Sequence, residues 1–413
     1  MSVSNLGLIQ SWQFYHGKAR FLACLEGLLR DDGLFTLFKV FAVGQLINLH
    51  SAIVISINSG AVSLHSRYGL SFACLFLAGL FCQLSLFKGK VMQTQVIRIH
   101  QHGDSSVMQL ETSSVAAPQA GEVLLKQTAI GVNFIDTYHR SGLYPLSLPS
   151  GLGVEACGVV EAIGAGVTEF KPGDRVAYAG GALGAYAVHR LMPADKLVHV
   201  PAGVSDDIAA GTLLRGMTAQ YLLKKTFPVH VGQTILFHAA AGGVGQLACQ
   251  WARELGATVI GTVGSEEKAK IARTYCDHII GYEHFSEQVR EITGGKGVSV
   301  VYDGVGADTF AGSLDCLAVR GMLVSFGNAS GPVPAFEPAI LAQKGSLFFT
   351  RPTLGHYTST RAELVNTAAD YFHAVRRGLL KPEVGQSYAL ADAAQAHQDL
   401  ALRKTQGSTL LRP

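Results

Sequence analysis

Apolar positions change spacing along this chain, and each change predicts an element. From about Ser205 onward, short apolar runs alternate with segments whose apolar residues recur every three or four positions. Thr234–His238 is too short for a helix and suits a buried parallel strand. In the segment after it, Leu247, Ala248, Trp251 and Leu255 share one helical face. Further strands are expected at Thr258–Val263, His278–Gly281, Val298–Tyr302, Met322–Phe326 and Ser346–Thr350. Six short strands separated by helical segments are what a doubly wound nucleotide domain requires. Residues 92–217 read instead as β-rich, with strands at Gln95–His100, Glu122–Ile130 and Gly153–Val160, and a turn and strand at Lys171–Ala177. A helix at Thr360–Arg377 and a final alternating segment return to that first domain. The expected class is α/β, with one domain from 92–217 and 354–413 and another from 218–353.

The first strand of the second domain runs into Ala239-Ala-Ala-Gly-Gly-Val-Gly245 and then the amphipathic helix. Against G-x-G-x-x-G, Ala240 takes the first position, Gly242 the second and Gly245 the third. Gly242 would let a pyrophosphate approach the backbone, and Gly245 would let the helix pack tightly on the sheet. Gly243 and Val244 open the helix, whose N-terminus offers N–H groups and partial positive charge to phosphates. Between a strand and a helix, the motif reads as a dinucleotide site rather than a merely structural tight turn.

An NAD site carries an acid about twenty residues beyond the glycines, on the ribose 2′-OH. Here the position nineteen after Gly245 is Gly264, which leaves space and no negative charge. Ser265 can cap the next helix and Lys268 lies one turn in, so both could meet a 2′-phosphate. That favours NADPH over NADH. The alternative makes Ser265 a plain cap and Lys268 a solvated lysine. Glu266 and Glu267 complicate the reading, although in a first turn they can point outward.

Composition narrows the function classes. The net charge is +3 over 413 residues and only 15% of residues are charged, with no basic stretch interleaved with aromatics, so no nucleic-acid surface is expected. Seven dispersed cysteines (24, 74, 82, 157, 249, 276, 316) include no C-x2–4-C pair, which argues against a zinc knuckle and for reduced core thiols of a cytoplasmic protein. Residues 1–91 differ from the rest: they carry +4 and leave −1 for 92–413. Leu70–Phe87 is eighteen residues without a charge, barely enough to span a bilayer, and Val40–Asn58 is a second, weaker apolar run. This extension reads as a membrane anchor, a weakly ordered segment, or residues translated upstream of a natural start at Met92. The last is favoured, because a strand pattern begins directly after Met92.

Residues 92–413 closely resemble the zinc-free quinone oxidoreductases of the medium-chain dehydrogenase/reductase superfamily, the NADPH:quinone reductase and zeta-crystallin branch. The segments that carry the resemblance are Asn133-Phe-Ile-Asp-Thr-Tyr138, Arg140-Ser-Gly-Leu-Tyr144, Leu148-Pro-Ser-Gly-Leu-Gly153, Lys171-Pro-Gly-Asp-Arg175, Phe237–Gly245, Tyr302-Asp-Gly-Val-Gly306, Val324-Ser-Phe-Gly-Asn328 and Gln406-Gly-Ser408. It implies a GroES-like β-rich catalytic domain beside a Rossmann cofactor domain, and a homodimer formed through an edge strand of the latter. In zinc-dependent relatives a Cys sits near Asn133 and a His takes the place of Val154 beside Glu155. Both ligand types are missing here, so no metal is expected, and the substrate should already be a good hydride acceptor, a quinone or conjugated carbonyl.

The resemblance lines the substrate pocket with Asn133, Asp136, Tyr138 and Tyr144, where a tyrosine could donate to a quinone oxygen or stack on its ring. It sets Phe134, Ile135, Thr137, Tyr138, Tyr221, Gly243, Val244, Gly264, Lys268, Tyr282, Val305, Phe326, Asn328, Arg351 and Arg403 around NADPH. The plainer alternatives are turn capping for Asn133 and Asp136, ordinary packing for the tyrosines, and ion pairing for Arg351 and Arg403. His238, before the glycine turn, and Cys157, in an apolar strand, read as core residues. Two other functions remain in view: an NADPH-dependent enone reductase, and a non-catalytic NADPH-binding protein of crystallin type.

Overall fold

The structure, a computed structural model, describes residues 38–42, 51–58, 61–65, 92–402 and 404–413. The chain divides into two compact units, 1–89 and 90–413. In the first, strands Phe38–Ala42, Ser51–Asn58 and Ala61–His65 pair antiparallel in that order, so the described ends of the second apolar run are strands. Leu70–Phe87 lies outside the described residues. Among the described residues, no helix is long and apolar enough to cross a membrane.

In the second unit, the β-rich part is built on Glu122–Val132, whose alternating side chains Val123, Leu125 and Ala129 are buried. This strand pairs antiparallel with Glu155–Ile163, His189–Pro193 and Ser408–Arg412, and the last brings the chain's end back into the first sheet. A smaller sheet of Met108–Val115, Met92–Ile99 and Ser150–Gly151 closes over it, tied by the Ile97 N–H to the Tyr186 carbonyl at 2.8 Å. Ile97, Ile99, Leu125, Ile130, Leu152 and Tyr186 fill the space between.

The nucleotide domain holds six parallel strands: β1 Thr234–Phe237, β2 Thr258–Thr262, β3 His278–Ile280, β4 Val298–Asp303, β5 Leu317–Ser325 and β6 Phe348–Thr350. Their spatial order is β3-β2-β1-β4-β5-β6. The order therefore reverses between β1 and β4, where a doubly wound sheet binds its ligand. β5 begins earlier than its apolar run suggested, because Leu317 pairs with Val298 across a register shift.

Helix Asp206–Tyr221 joins the two domains. Ser205 caps it, accepting from the Ile208 N–H at 3.2 Å, and it is buried along most of its length. Ala209, Leu213 and Met217 belong to one core that reaches Ala129 and Cys157 on one side and Ile235, Ala248 and Trp251 on the other. That continuous core sets the two sheets in a fixed relation, and the Asn133 turn and the glycine turn come together where they meet.

Candidate active site

The glycine turn has the geometry that a dinucleotide cradle needs. β1 ends at Phe237, Ala239 takes a left-handed φ of 52°, and Gly242 caps helix Gly243–Glu254 in an extended conformation. A Cβ on Gly245 would lie 2.4 Å from the Ala239 carbonyl oxygen and 2.6 Å from that of Ala240, so only glycine lets this helix sit down on the turn. At Gly242 the nearest protein atom would be the Ala239 oxygen at 3.0 Å, which leaves its outer side open.

Beyond β2, a Cβ on Gly264 would meet nothing nearer than the Tyr282 ring at 3.9 Å. Ser265 caps helix Glu266–Ala272, accepting from the Lys268 N–H at 3.4 Å. Gly264, Ser265 and Tyr282 line one open cavity of about 1040 Å³, and the Tyr282 hydroxyl accepts from the Ala239 N–H at 3.1 Å. Lys268 is half-exposed on the helix and is not among the lining residues. The two acids part company. Glu267 is exposed, with Ser265 hydrogen-bonded to it, whereas Glu266 lines the cavity and pairs with Arg273 at 2.8 Å. Arg273 was missed in the sequence; its only signal is the i, i+7 spacing that puts it on the same helix face as Glu266.

In the β-rich domain, Asn133 caps helix Phe134–Ser141, and its backbone N–H donates to Asp136 Oδ2 at 2.8 Å. Both ends of its side-chain amide are engaged: Nδ2 donates to Glu155 Oε2 at 2.7 Å, and Oδ1 accepts from Arg215 Nε at 3.3 Å. Glu155 Oε1 also accepts from the Leu214 N–H, and Arg215 reaches the Val132 carbonyl and the Ser408 hydroxyl. Arg215 lies against Gly243 as well, where a Cβ would stand 2.8 Å from its guanidinium. One guanidinium thus ties the Asn133 turn to the glycine turn. Burial raises the pKa of both Glu155 and Asp136 to about 7, and lowers that of Arg215. Glu155 sits in the expected strand Gly153–Val160 and Arg215 in helix Asp206–Tyr221, which the apolar spacing did not single out, so no local signal marked either.

Asp136 is fully buried. Its Oδ2 also accepts from the Tyr186 hydroxyl at 2.9 Å; Tyr186 contacts His397 at 2.9 Å, and His397 contacts Arg140 at 3.0 Å. Arg140 can only donate, so His397 Nδ1 accepts and Nε2–H faces the tyrosine. Thr137 folds back onto the Phe134 carbonyl at 2.6 Å, and Ile135 is half-buried.

Three aromatic rings of this helix and the following loop form a wall. Phe134 (42% exposed), Tyr138 and Tyr144 meet edge-on at 5.4 and 5.2 Å. Asn328, after β5, donates to the Tyr144 hydroxyl at 3.4 Å and joins the wall to the nucleotide domain. Burial raises the Tyr138 pKa to about 12, with Tyr144 adding and Arg351 opposing, so the phenol stays a hydrogen-bond donor. Arg351 is anchored on the Ser325 carbonyl at 3.0 Å, Phe326 packs on Phe237, and Val305 N–H is held by Asp303 at 2.8 Å. Tyr221 is buried in a 4.6 Å stack with Tyr357. Arg403 lies outside the described residues. Cys157 is buried, which pushes its thiol up to about 12.

Residues 119–202 match the family model "Alcohol dehydrogenase GroES-like domain", and residues 243–369 match "Zinc-binding dehydrogenase". The quinone oxidoreductase of Pseudomonas aeruginosa is 52% identical over 321 residues, which is 77% of this chain and 99% of the relative. A 2-haloacrylate reductase of Burkholderia is 49% identical, over 76% of this chain and 98% of its own length. The crystal structure of Escherichia coli quinone oxidoreductase complexed with NADPH superposes with a TM-score of 0.76 at 50% identity, covering 77% of this chain and all of that one. Fold and glycine turn together define a two-domain dehydrogenase/reductase of the medium-chain type. Within that superfamily the chain belongs to the zinc-free quinone oxidoreductase branch.

Proposed function

We propose that the protein is an NADPH:quinone oxidoreductase that works without zinc. The observation that carries this reading is the aromatic wall Phe134–Tyr138–Tyr144, joined through Asn328 to the loops of the nucleotide domain. A flat, conjugated acceptor fits such a wall, and a neutral Tyr138 can donate to the oxygen on which charge develops. Gly242–Gly245 would hold the pyrophosphate, and Gly264, Ser265 and Tyr282 the adenosine end, with Lys268 near the 2′-phosphate. NADPH, when bound, supplies the hydride; water supplies the proton that completes the hydroquinone.

The residues at the expected metal position do not fit zinc. Val154 has no donor atom, and both Glu155 oxygens already accept hydrogen bonds from Asn133 and Leu214. We include a homodimer in the proposal, supported by the edge strand β6, whose Phe348 is 56% exposed. NADPH oxidation with 1,4-benzoquinone, 9,10-phenanthrenequinone and a simple enone tests the function, with and without a chelator. Faster turnover of the quinones, unchanged by the chelator, is expected. Preference for the enone would favour the second reading, which the Burkholderia relative's name supports. Tight NADPH binding with no turnover would favour a binding protein.

A further inference from the structure

The buried polar groups beneath the glycine turn form one closed chain. The Ala239 N–H donates to Thr262 Oγ1 at 3.2 Å, and Thr262 contacts His238 Nδ1 at 3.0 Å. His238 Nε2 contacts Ser313 Oγ at 2.9 Å, and Ser313 donates to Asp303 Oδ2 at 3.1 Å. Asp303 Oδ2 also accepts from Thr309 at 2.7 Å, while Oδ1 accepts the N–H groups of Val305 and Gly306 at 2.8 and 3.0 Å. His238, Thr262, Asp303, Thr309 and Ser313 are all buried.

The proton count fixes the direction of every bond. The carboxylate only accepts, so Ser313 gives its single proton to Asp303 and must receive one from His238 Nε2–H. Nδ1 is then the acceptor, and the Thr262 hydroxyl donates to it. Burial lowers the His238 pKa, which keeps the ring neutral with that one proton. No donor in the chain faces a donor, and no acceptor faces an acceptor. The chain crosses the switch point of the sheet, from the turn after β1, by way of the end of β2, to the loop after β4.

We propose that His238, with Thr262 and Ser313, is a positioning device that sets the glycine turn and the Val305–Gly306 loop at the separation the whole dinucleotide requires. The assignment rests on the NADPH reading above. A fragment that touches only one side of the switch point lets its own loop adjust, whereas the complete cofactor needs both loops in register. Breaking the chain therefore costs affinity for the whole and spares the part.

The test is calorimetric binding of NADPH and of 2′,5′-ADP to apo wild type, Thr262→Val and Ser313→Ala, with Thr262→Ser as the variant that keeps the hydroxyl and melting temperature as the check on folding. Both hydroxyl deletions should weaken NADPH about tenfold and change 2′,5′-ADP by less than about twofold, with Thr262→Ser close to wild type. Unchanged NADPH affinity in both deletions would overturn the assignment. So would equal losses for NADPH and 2′,5′-ADP, which would confine the effect to the adenosine side or to folding. A wild type that binds neither ligand would overturn the cofactor reading together with this one, a pattern distinct from variants that bind as well as wild type.

Discussion

The side-chain amide of Asn133 donates to Glu155 at 2.7 Å, and the same amide's oxygen accepts from the part-buried guanidinium of Arg215. Through this one residue the N-terminus of helix Phe134–Ser141 is held to a strand of the first sheet and to the helix that joins the domains. Asn133→Ala should therefore lose ~1–3 kcal/mol in urea unfolding, because it leaves a carboxylate oxygen and a guanidinium N–H buried without partners. Asn133→Asp should be worse at pH 8 than at pH 5.5. Below about 7 the Glu155 carboxyl takes up a proton, and the repulsion between the two acids is relieved.

Asp136 gives a stability signature that runs against the usual one for acids. Its folded pKa is raised from 3.8 to about 7 by burial, so the folded protein holds a proton there that the unfolded chain has released. The stability this contributes is fully present below about pH 4 and is lost as the pH rises through about 7. Relative to Asp136→Asn, wild type should lose on the order of a few kcal/mol between pH 5 and pH 8. Paired melting curves across that range check it; a wild type that gained on the variant as pH rose would contradict the assignment.

The glycines of the turn should separate folding from binding. Gly245→Ala drives a methyl against two backbone carbonyls and should destabilise the apo protein by about 1–3 kcal/mol of overpacking, read as a lower melting temperature. Gly242→Ala has only one close neighbour, at 3.0 Å, so it should melt near wild type. If the pyrophosphate approaches over Gly242 as proposed, the added methyl stands in its way, and NADPH binding should be lost. Equal effects of both substitutions on apo stability would sink the division of roles.

Cofactor choice should turn on the end of β2. Lys268→Ala should weaken NADPH roughly ten- to hundred-fold, the value of a charge-assisted hydrogen bond of about 1.5–3 kcal/mol, and leave NADH nearly untouched. Gly264→Asp has room for its side chain beside Tyr282 and should shift the preference further toward NADH. Titrations with both cofactors decide this. Because Arg273 lines the cavity and Lys268 does not, loss of selectivity in Arg273→Ala with none in Lys268→Ala would move the phosphate contact to the arginine.

What the sequence determined by itself is whatever depends on near neighbours along the chain. The six strands, the glycine turn with its amphipathic helix, the Ser265 cap and the missing acid at Gly264 follow from local periodicity and from steric rules that act over a few residues. Tertiary structure decided the rest. Asn133, Glu155 and Arg215 converge from three elements, and so do His238, Thr262, Asp303 and Ser313, none of them marked by spacing. Glu266 turns into the cavity, where it pairs with Arg273 two turns along the same helix face, while its neighbour Glu267 turns out. Polar groups such as these are paired only when packing has set the elements in register, because each must find its partner once burial has removed water from it.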